Sequence, residues 1–526
     1  MAAHPSIADA ARGFDFAALA SQATLRAGTE TRRDSAVIAP FSGETLACVT
    51  LGDADDVAEA VRRARAAQPA WAALSGRERA KILLRAHTLF IRERERLATL
   101  IQLESGKARA HALEEPLDVA LKLGYYARHA PNWLKPQRRR GAIPLFVSAR
   151  ERAIPVGVIG IIGAWNFPLN LPMSDSVSAL MAGNAVVLKP SELTPFSALL
   201  GVSLLREAGV PRDVMQVVVG DGQSVGAPLV DAVDGVMFTG SSAVGHKIAQ
   251  QAAKRLIPAS LELGGKNPAV IFDDADLTNT VANVAQGITS GAGQVCVSYE
   301  RIYVQAGIYP RFAETLAAHM SALTLGFSTD YDIEIGSQIS QVQVDKVAAH
   351  VADAVEKGAR VLAGGQRRPD LGPFVFEPTL LEGVEPGMIL YRDETFGPVA
   401  ALYPFQDEAE AIRVANDSEF GLQAGVYSGD VKRGERVAAQ IRCGSVTVNE
   451  NFRMSWATTD APMGGMKHSG LGRRHGKQGL LKFTQAQTII TGRIMPIKPN
   501  RLFPTRRFYA LMLLMVQMWR RLPGIH

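Results

Sequence analysis

From Pro155 onward the chain repeats one pattern: a short continuous apolar run, a polar or glycine-rich stop, then a stretch with helical spacing. The runs are "VGVIGII", "AVVLKPS", "VMQVVVG" and "DGVMFTG", beginning at Val156, Ala185, Val214 and Asp234. A strand that is apolar on both faces needs cover on both, and helices between such strands imply parallel pairing. The pattern predicts a doubly wound α/β unit that binds ligands at the carboxyl ends of its strands. Between the second and third runs the helix ends are legible, with Thr194 as N-cap, Pro195 in the first position and Gly209 after the last turn.

The alternation resumes after "LELGGKNPAVIF", with strands expected at 301–305, 360–363, 398–404, 422–427 and 445–449. A second α/β domain is the simplest account. Residues 54–130 carry helical spacing, and 131–152, with its prolines and Arg138–Arg140, read as an excursion such as a hairpin. At 526 residues, two to four packed units are expected.

Three cysteines without a C-x-x-C pair argue against a disulfide framework and a thiolate zinc site, so no metal is expected. The N-terminal residues lack a signal-peptide pattern, and the cytoplasm is the default address. Net charge is +6, but the basic excess is local and comes with no nucleic-acid module, so no nucleic-acid partner is expected.

Five local constellations have both a chemical and a bland reading. "FTGSSAVGHK" holds Gly240-x-x-x-x-Gly245 between a strand and a helix, either a cradle for a nucleotide phosphate or a plain turn. Lys189, Ser191 and Glu192 end a buried strand where ribose hydroxyls can be gripped, or are merely solvated. Glu262 stands between two leucines, where desolvation raises a carboxyl towards the range of a general base unless a Lys or Arg pairs it. Cys296 follows "GAGQV", a run of small residues that leaves backbone N–H groups and room near the sulfur; the alternative is an inert buried thiol, the reading kept for Cys48 and Cys443. Asn166 ends the first strand, either an oxyanion donor or a turn residue.

Taken in order, "WNFP", "LKPSE", "FTGSSAVG", "LELGGKNP", "GQVC", "ETFGPV" and "PMGGMKHSGLGR" resemble the aldehyde dehydrogenase superfamily over residues 40–490. The resemblance implies a Rossmann-type cofactor domain (1–132 and 152–263), an α/β catalytic domain (264–465) and a small β oligomerisation element (133–151 and 480–495). It implies Cys296 as nucleophile, Glu262 as general base and Asn166 as oxyanion donor, with hydride passing to a nicotinamide and water hydrolysing a thioester. Lys189 and Glu192 would hold the adenosine ribose, and Gly240 to Gly245, with Ser241 between them, would pass beneath the pyrophosphate. Glu394 with Phe396 would position the nicotinamide ribose and ring, Trp165, Ser191, Gly222 and Leu263 would be further cofactor contacts, and Phe167 would meet the substrate. A homodimer or homotetramer is implied.

"GGKNP", "SYERIYV" and "GLGRRHGKQGLLKFTQAQTI" are similar to a bacterial succinate-semialdehyde dehydrogenase branch, and Arg453 in "NENFRMSW" is then the candidate partner of the substrate carboxylate. Glu192 suits NAD, while Lys189 leaves NADP open. A catalytically silent relative and a cysteine hydrolase are the rival readings; intact Cys296, Glu262 and Asn166 speak against the first, and the absence of an evident histidine partner against the second. The tail, "RRFYALMLLMVQMWRR" within 500–526, is too short to span a bilayer. It would either lie in a membrane interface, giving access to lipid-derived aldehydes, or dock on protein.

Overall fold

The computed structural model describes residues 7–26, 32–140, 147–493, 498–499, 501 and 504–519, without the side chains of Ser455, Trp456 and Trp519. Two compact units emerge, one of residues 1–131 with 155–483, the other of 132–154 with 484–526.

The larger unit holds two sheets. The first runs Gly470–Leu471, Ala259–Glu262, Gly235–Thr239, Val158–Ile162, Ala185–Lys189, Met215–Val217. Apart from Gly470–Leu471, which pairs antiparallel with Gly470 opposite Glu262, neighbours are parallel. The three inner apolar strands are buried along their whole length, as two-faced cover requires. Chain order reverses across Val158–Ile162, which has the second strand on one side and the fourth on the other. That is a topological switch point, and it opens a crevice beyond Ile162 and Thr239.

The second sheet runs Arg360–Ala363, Thr379–Glu382, Val399–Phe405, Tyr299–Gln305, Asn267–Ile271, Gln423–Tyr427, Ser445–Val448, with only the first strand antiparallel. Val281, Val284 and Ile288 of one helix and Phe312 and Leu316 of the next pack with Ile271, Ile302 and Val304. Elsewhere on the sheet, Val344 and Val347 meet Leu381 and Val399, while Val437 meets Val270 and Phe272. The predicted second α/β sheet is therefore present.

The helical opening comprises Ala54–Ala73, Gly76–Arg92, Arg94–Ser105 and Arg109–Trp133, the first two started by capping boxes at Asp53 and Ser75. Thr194 is the N-cap and Pro195 holds the first position, as expected. Helix Pro195–Glu207 begins after Thr194, but the Thr194 hydroxyl has no partner. The buried Glu104 carboxyl instead accepts from the N–H groups of Phe196 and Ser197, at 2.6 Å each, and these bonds oppose the desolvation that pushes it up to about 7. Gly209 takes φ +108° after the last turn, as its position predicted.

In the smaller unit, Gln137–Arg139 and Val147–Pro155 form an antiparallel hairpin, with Thr484–Gly492 as the third strand. The hairpin tip, 141–146, lies outside the described residues. Helix Thr505–Trp519 covers the apolar tail and exposes Tyr509, Leu511, Leu513, Leu514, Val516 and Met518. Arg520 and Arg521 lie outside the described residues. Among the described residues no helix is long and apolar enough to cross a membrane.

Candidate active site

Helix Leu277–Thr289 runs into a tight turn, Ser290–Gly293, in which Gly291, Ala292 and Gly293 all take left-handed φ, +59°, +55° and +72°. A Cβ on Gly293 would lie 2.0 Å from the Gly397 carbonyl oxygen. The small residues before Cys296 thus serve the backbone, which must turn left-handed against a neighbouring chain segment. Beyond the turn the nucleophile segment is pinned. Asn267 Nδ2 donates to the carbonyls of Cys296 and Ser298, both at 2.8 Å, and Gln294 Oε1 accepts from Ile339 N–H at 2.9 Å. Burial, aided by the nearby Glu394 and Glu262 carboxylates, pushes the Cys296 thiol up to about 12.

Two cavities meet at the Cys296 sulfur. One, with about 720 Å³ of empty volume, is bordered by Trp165, Asn166, Gly240, Ser241, Glu262, Leu263, Glu394 and Phe396. The other, about 830 Å³, is walled by Phe167, Leu171, Val295, Val297, Phe452 and Met463, with Glu114, Glu115, Asp118, Arg474 and His475 as its titratable members beside Asn170 and Ser174. Access to the sulfur comes from this meeting of clefts.

Asn166 follows strand Val158–Ile162, and its Nδ2 donates to the Gln294 carbonyl at 2.9 Å, which turns the amide towards the cysteine segment and leaves a second N–H. Glu262 ends its strand buried, and Oε1 has no hydrogen-bond partner. Desolvation pushes its carboxyl up to about 7 against the pull of Arg474 and Lys482, whose charges Asp175 holds at 2.6 and 3.2 Å. The bland expectation of an ion pair at Glu262 is not met. A Cβ on Gly464 would come 3.0 Å from Oε1, so glycine there leaves the carboxylate its space.

Of the residues expected at a dinucleotide, Trp165, Gly240, Ser241, Leu263, Glu394 and Phe396 line the first cavity, whereas Lys189, Ser191, Glu192, Gly222 and Gly245 do not. A Cβ on Gly240 would strike the Phe238 ring at 2.4 Å, and Gly245 lets helix Ser242–Lys254 press on Leu263, again 2.4 Å from a virtual Cβ. Ser241 caps that helix, accepting from Val244 N–H at 3.4 Å. Open space faces Gly222, and Gly226 brings the same turn beside Lys189. Lys189 Nζ donates to Glu192 at 3.1 Å, and Ser191 Oγ accepts from Leu193 N–H. Glu394 accepts from Gly265 N–H at 2.7 Å; Phe396, at φ +58°, stands edge-to-face with Trp165 at 5.4 Å. Glycines that permit close approach, a helix N-terminus that donates and a carboxylate that can accept from hydroxyls are groups that could hold a dinucleotide.

A model of the aldehyde dehydrogenase family matches residues 27–489. The chain belongs to that family. It is 43% identical to a putative succinate-semialdehyde dehydrogenase [NADP(+)] of Mycolicibacterium smegmatis, over 97% of this chain and 98% of that one. A mitochondrial succinate-semialdehyde dehydrogenase of Oryza sativa is 37% identical over 86% of each. Among solved structures, a betaine aldehyde dehydrogenase of Staphylococcus aureus in complex with NAD+ matches with TM-score 0.87 at 32% identity, covering 93% of this chain and 98% of that one. An E. coli NADP-dependent enzyme matches with TM-score 0.84 at 38% identity, covering 88% and 95%.

In this aldehyde dehydrogenase, Arg453 is not free. Its guanidinium forms an ion pair with Glu114, a residue that no motif flagged. Cys48 is exposed, and Cys443 is buried with its thiol pushed up to about 12 and donating to the Ser445 carbonyl. Sequence reasoning also missed Glu104, Asn267 and the Asp175–Arg474 pair. Asp175 and Arg474 stand 299 positions apart; Arg474 lies within "GLGRRHGKQGLLKFTQAQTI", but nothing local to either residue points to the other. Among the described residues no group of His, Cys, Asp or Glu is arranged to hold a metal.

Proposed function

We propose that the chain oxidises an aliphatic aldehyde to its carboxylic acid through Cys296. The observation that carries this is the meeting of two clefts at one sulfur, beside a buried carboxylate with an unpaired oxygen. Lys189, Ser191 and Glu192 would hold the adenosine ribose, the glycine-lined turns the pyrophosphate, and Trp165, Glu394 and Phe396 the nicotinamide end. When bound, that cofactor supplies the hydride acceptor.

Burial keeps the Cys296 thiol protonated in the empty site, so attack on a carbonyl needs a base. Glu262, near 7, has a carboxyl poised close to neutral pH for that task, and the thiol's own pKa must fall as a carbonyl enters. Once Glu262 has released that proton to solvent, its free oxygen takes a proton from water as the water adds to the Cys296 thioester; the thiolate leaves and the acid is released. The second N–H of Asn166 faces the oxyanion.

For the substrate, the relatives' names and Arg453 beside the second cavity support an aldehyde with a remote carboxylate, such as succinic semialdehyde. For the cofactor, Glu192 supports NAD, since a 2′-phosphate would meet its carboxylate; the NADP(+) in the relatives' names supports the alternative. The exposed apolar helix Thr505–Trp519 favours a second reading, contact with a lipid surface and long-chain aldehydes; failure to co-sediment with anionic liposomes at low salt would end it. The edge strand Thr484–Gly492, exposed along its length, supports a homodimer or homotetramer. Three unpaired cysteines fit a cytoplasmic address.

The deciding experiment measures initial rates of NADH and NADPH formation with succinic semialdehyde, butanal, long-chain and aromatic aldehydes. Absence of oxidation across that panel would leave a silent relative as the reading.

A further inference from the structure

The second cavity contains more charge than its apolar walls suggest, and all of it is matched. Lys107 pairs with Glu115 at 2.6 Å, Lys122 with Asp118, and Arg474 with Asp175 at 2.6 Å. The Glu115 pair is locked, because Glu115 Oε2 also accepts from the N–H groups of Leu169 and Asn170 at 3.0 and 2.9 Å. Lys107 is further held over the Phe167 ring, 3.7 Å from its centroid. Lys122 and Asp118 are both buried, and Lys482 shares Asp175 with Arg474.

The fourth pair differs. Arg453 and Glu114 keep 33% and 20% of their side-chain surface in contact with solvent, and Glu114 borders the cavity. Arg453 stands behind the lining residues Glu114 and Phe452, so among the described residues a carboxylate entering this cavity meets one partly exposed cation at its border, and finds it occupied. We propose that Glu114 is a specificity-determining residue, a built-in competitor that holds Arg453 in the empty site and yields it to the remote carboxylate of the substrate. This rests on the carboxylate-aldehyde reading above.

The exchange has two consequences. Oxidation turns the substrate into a dicarboxylate, and a permanently free arginine would retain that product; a carboxylate tethered beside Arg453 competes for it and speeds departure. The displaced Glu114 would lose its pair in a poorly solvated site, where burial already raises its carboxyl. The groups facing it are Arg453, Lys107 and Glu115, and Lys107 is engaged with Glu115. Displacement is then accompanied by proton uptake at Glu114, and carboxylate ligands bind more tightly as pH falls.

The test compares wild type, Glu114→Gln, Glu114→Asp and Arg453→Gln in two measurements: the kcat/KM ratio of succinic semialdehyde to butanal, and the inhibition constant of succinate as a function of pH. Glu114→Gln, which keeps the shape and drops the charge, is expected to raise the ratio about tenfold through KM, tighten succinate by a similar factor and flatten its pH dependence. Glu114→Asp, which keeps the charge, is expected to restore wild-type behaviour, and Arg453→Gln to lower the ratio. A ratio that Arg453→Gln lowers and Glu114→Gln leaves unchanged would overturn the competitor role while sparing the substrate reading. A ratio insensitive to Arg453→Gln would overturn both.

Discussion

Glu262→Gln separates the catalytic cost of this residue from its folding cost. A carboxyl moved from 4.5 to about 7 by burial pays on the order of 3 kcal/mol when it ionises inside the folded chain. The sign follows from linkage: the folded state holds the proton more tightly than the unfolded chain, so stability is fully present below pH 4.5 and is lost as pH rises to about 7. Glutamine never ionises, so the variant is expected to melt higher than wild type at pH 8, with the gain shrinking towards pH 5. Activity should move the other way. In wild type about one tenth of Glu262 is ionised at pH 6 and about nine tenths at pH 8, so turnover rises through that interval. The variant should lack this limb and turn over about 10²–10⁴-fold more slowly. Rapid mixing that follows nicotinamide reduction, paired with thermal melts at both pH values, makes the comparison. A variant that melts lower at pH 8, or that keeps a turnover limb near 7, would refute a desolvated general base at this position.

Cys296→Ala should abolish aldehyde oxidation while leaving NAD binding intact by fluorescence titration, because the cofactor cleft keeps its other walls. Gly293→Ala places a methyl 2.0 Å from a carbonyl oxygen at φ +72°; it should cut kcat far more than it weakens NAD binding, as kinetics and titration together would show. Glu104→Ala removes the carboxylate that caps helix Pro195–Glu207 and strands two buried N–H groups, which should lower stability by about 2–4 kcal/mol in denaturant melts without touching the reacting atoms.

Much of the site was legible before any fold was known, for a physical reason. Catalytic groups at strand ends sit beside glycines and buried apolar runs, and those neighbours are local in sequence; Asn166, Lys189, Glu192, Gly240 and Glu262 all carried such neighbours. Cys296 was singled out from the sequence, and the structure accounts for its neighbours differently. The small residues before it looked like room for a carbonyl, and they turned out to be a left-handed turn pressed on Gly397, a contact that spans more than a hundred positions.

The sequence alone determined the alternation of buried strands and helices, and with it two doubly wound sheets, because an apolar run needs cover on both faces whatever else the chain does. Only the tertiary structure decided the charge states and partners. Among the described residues Glu262 Oε1 has no partner, while Asp175 binds Arg474 and Lys482; Arg453 is occupied because Glu114, from a helix 339 positions earlier, meets it; and Glu104, not the Thr194 hydroxyl, takes the first N–H groups of helix Pro195–Glu207. Electrostatic roles depend on which charges are brought within a few ångströms of each other and how much water is removed, and neither quantity is written in the local order of residues.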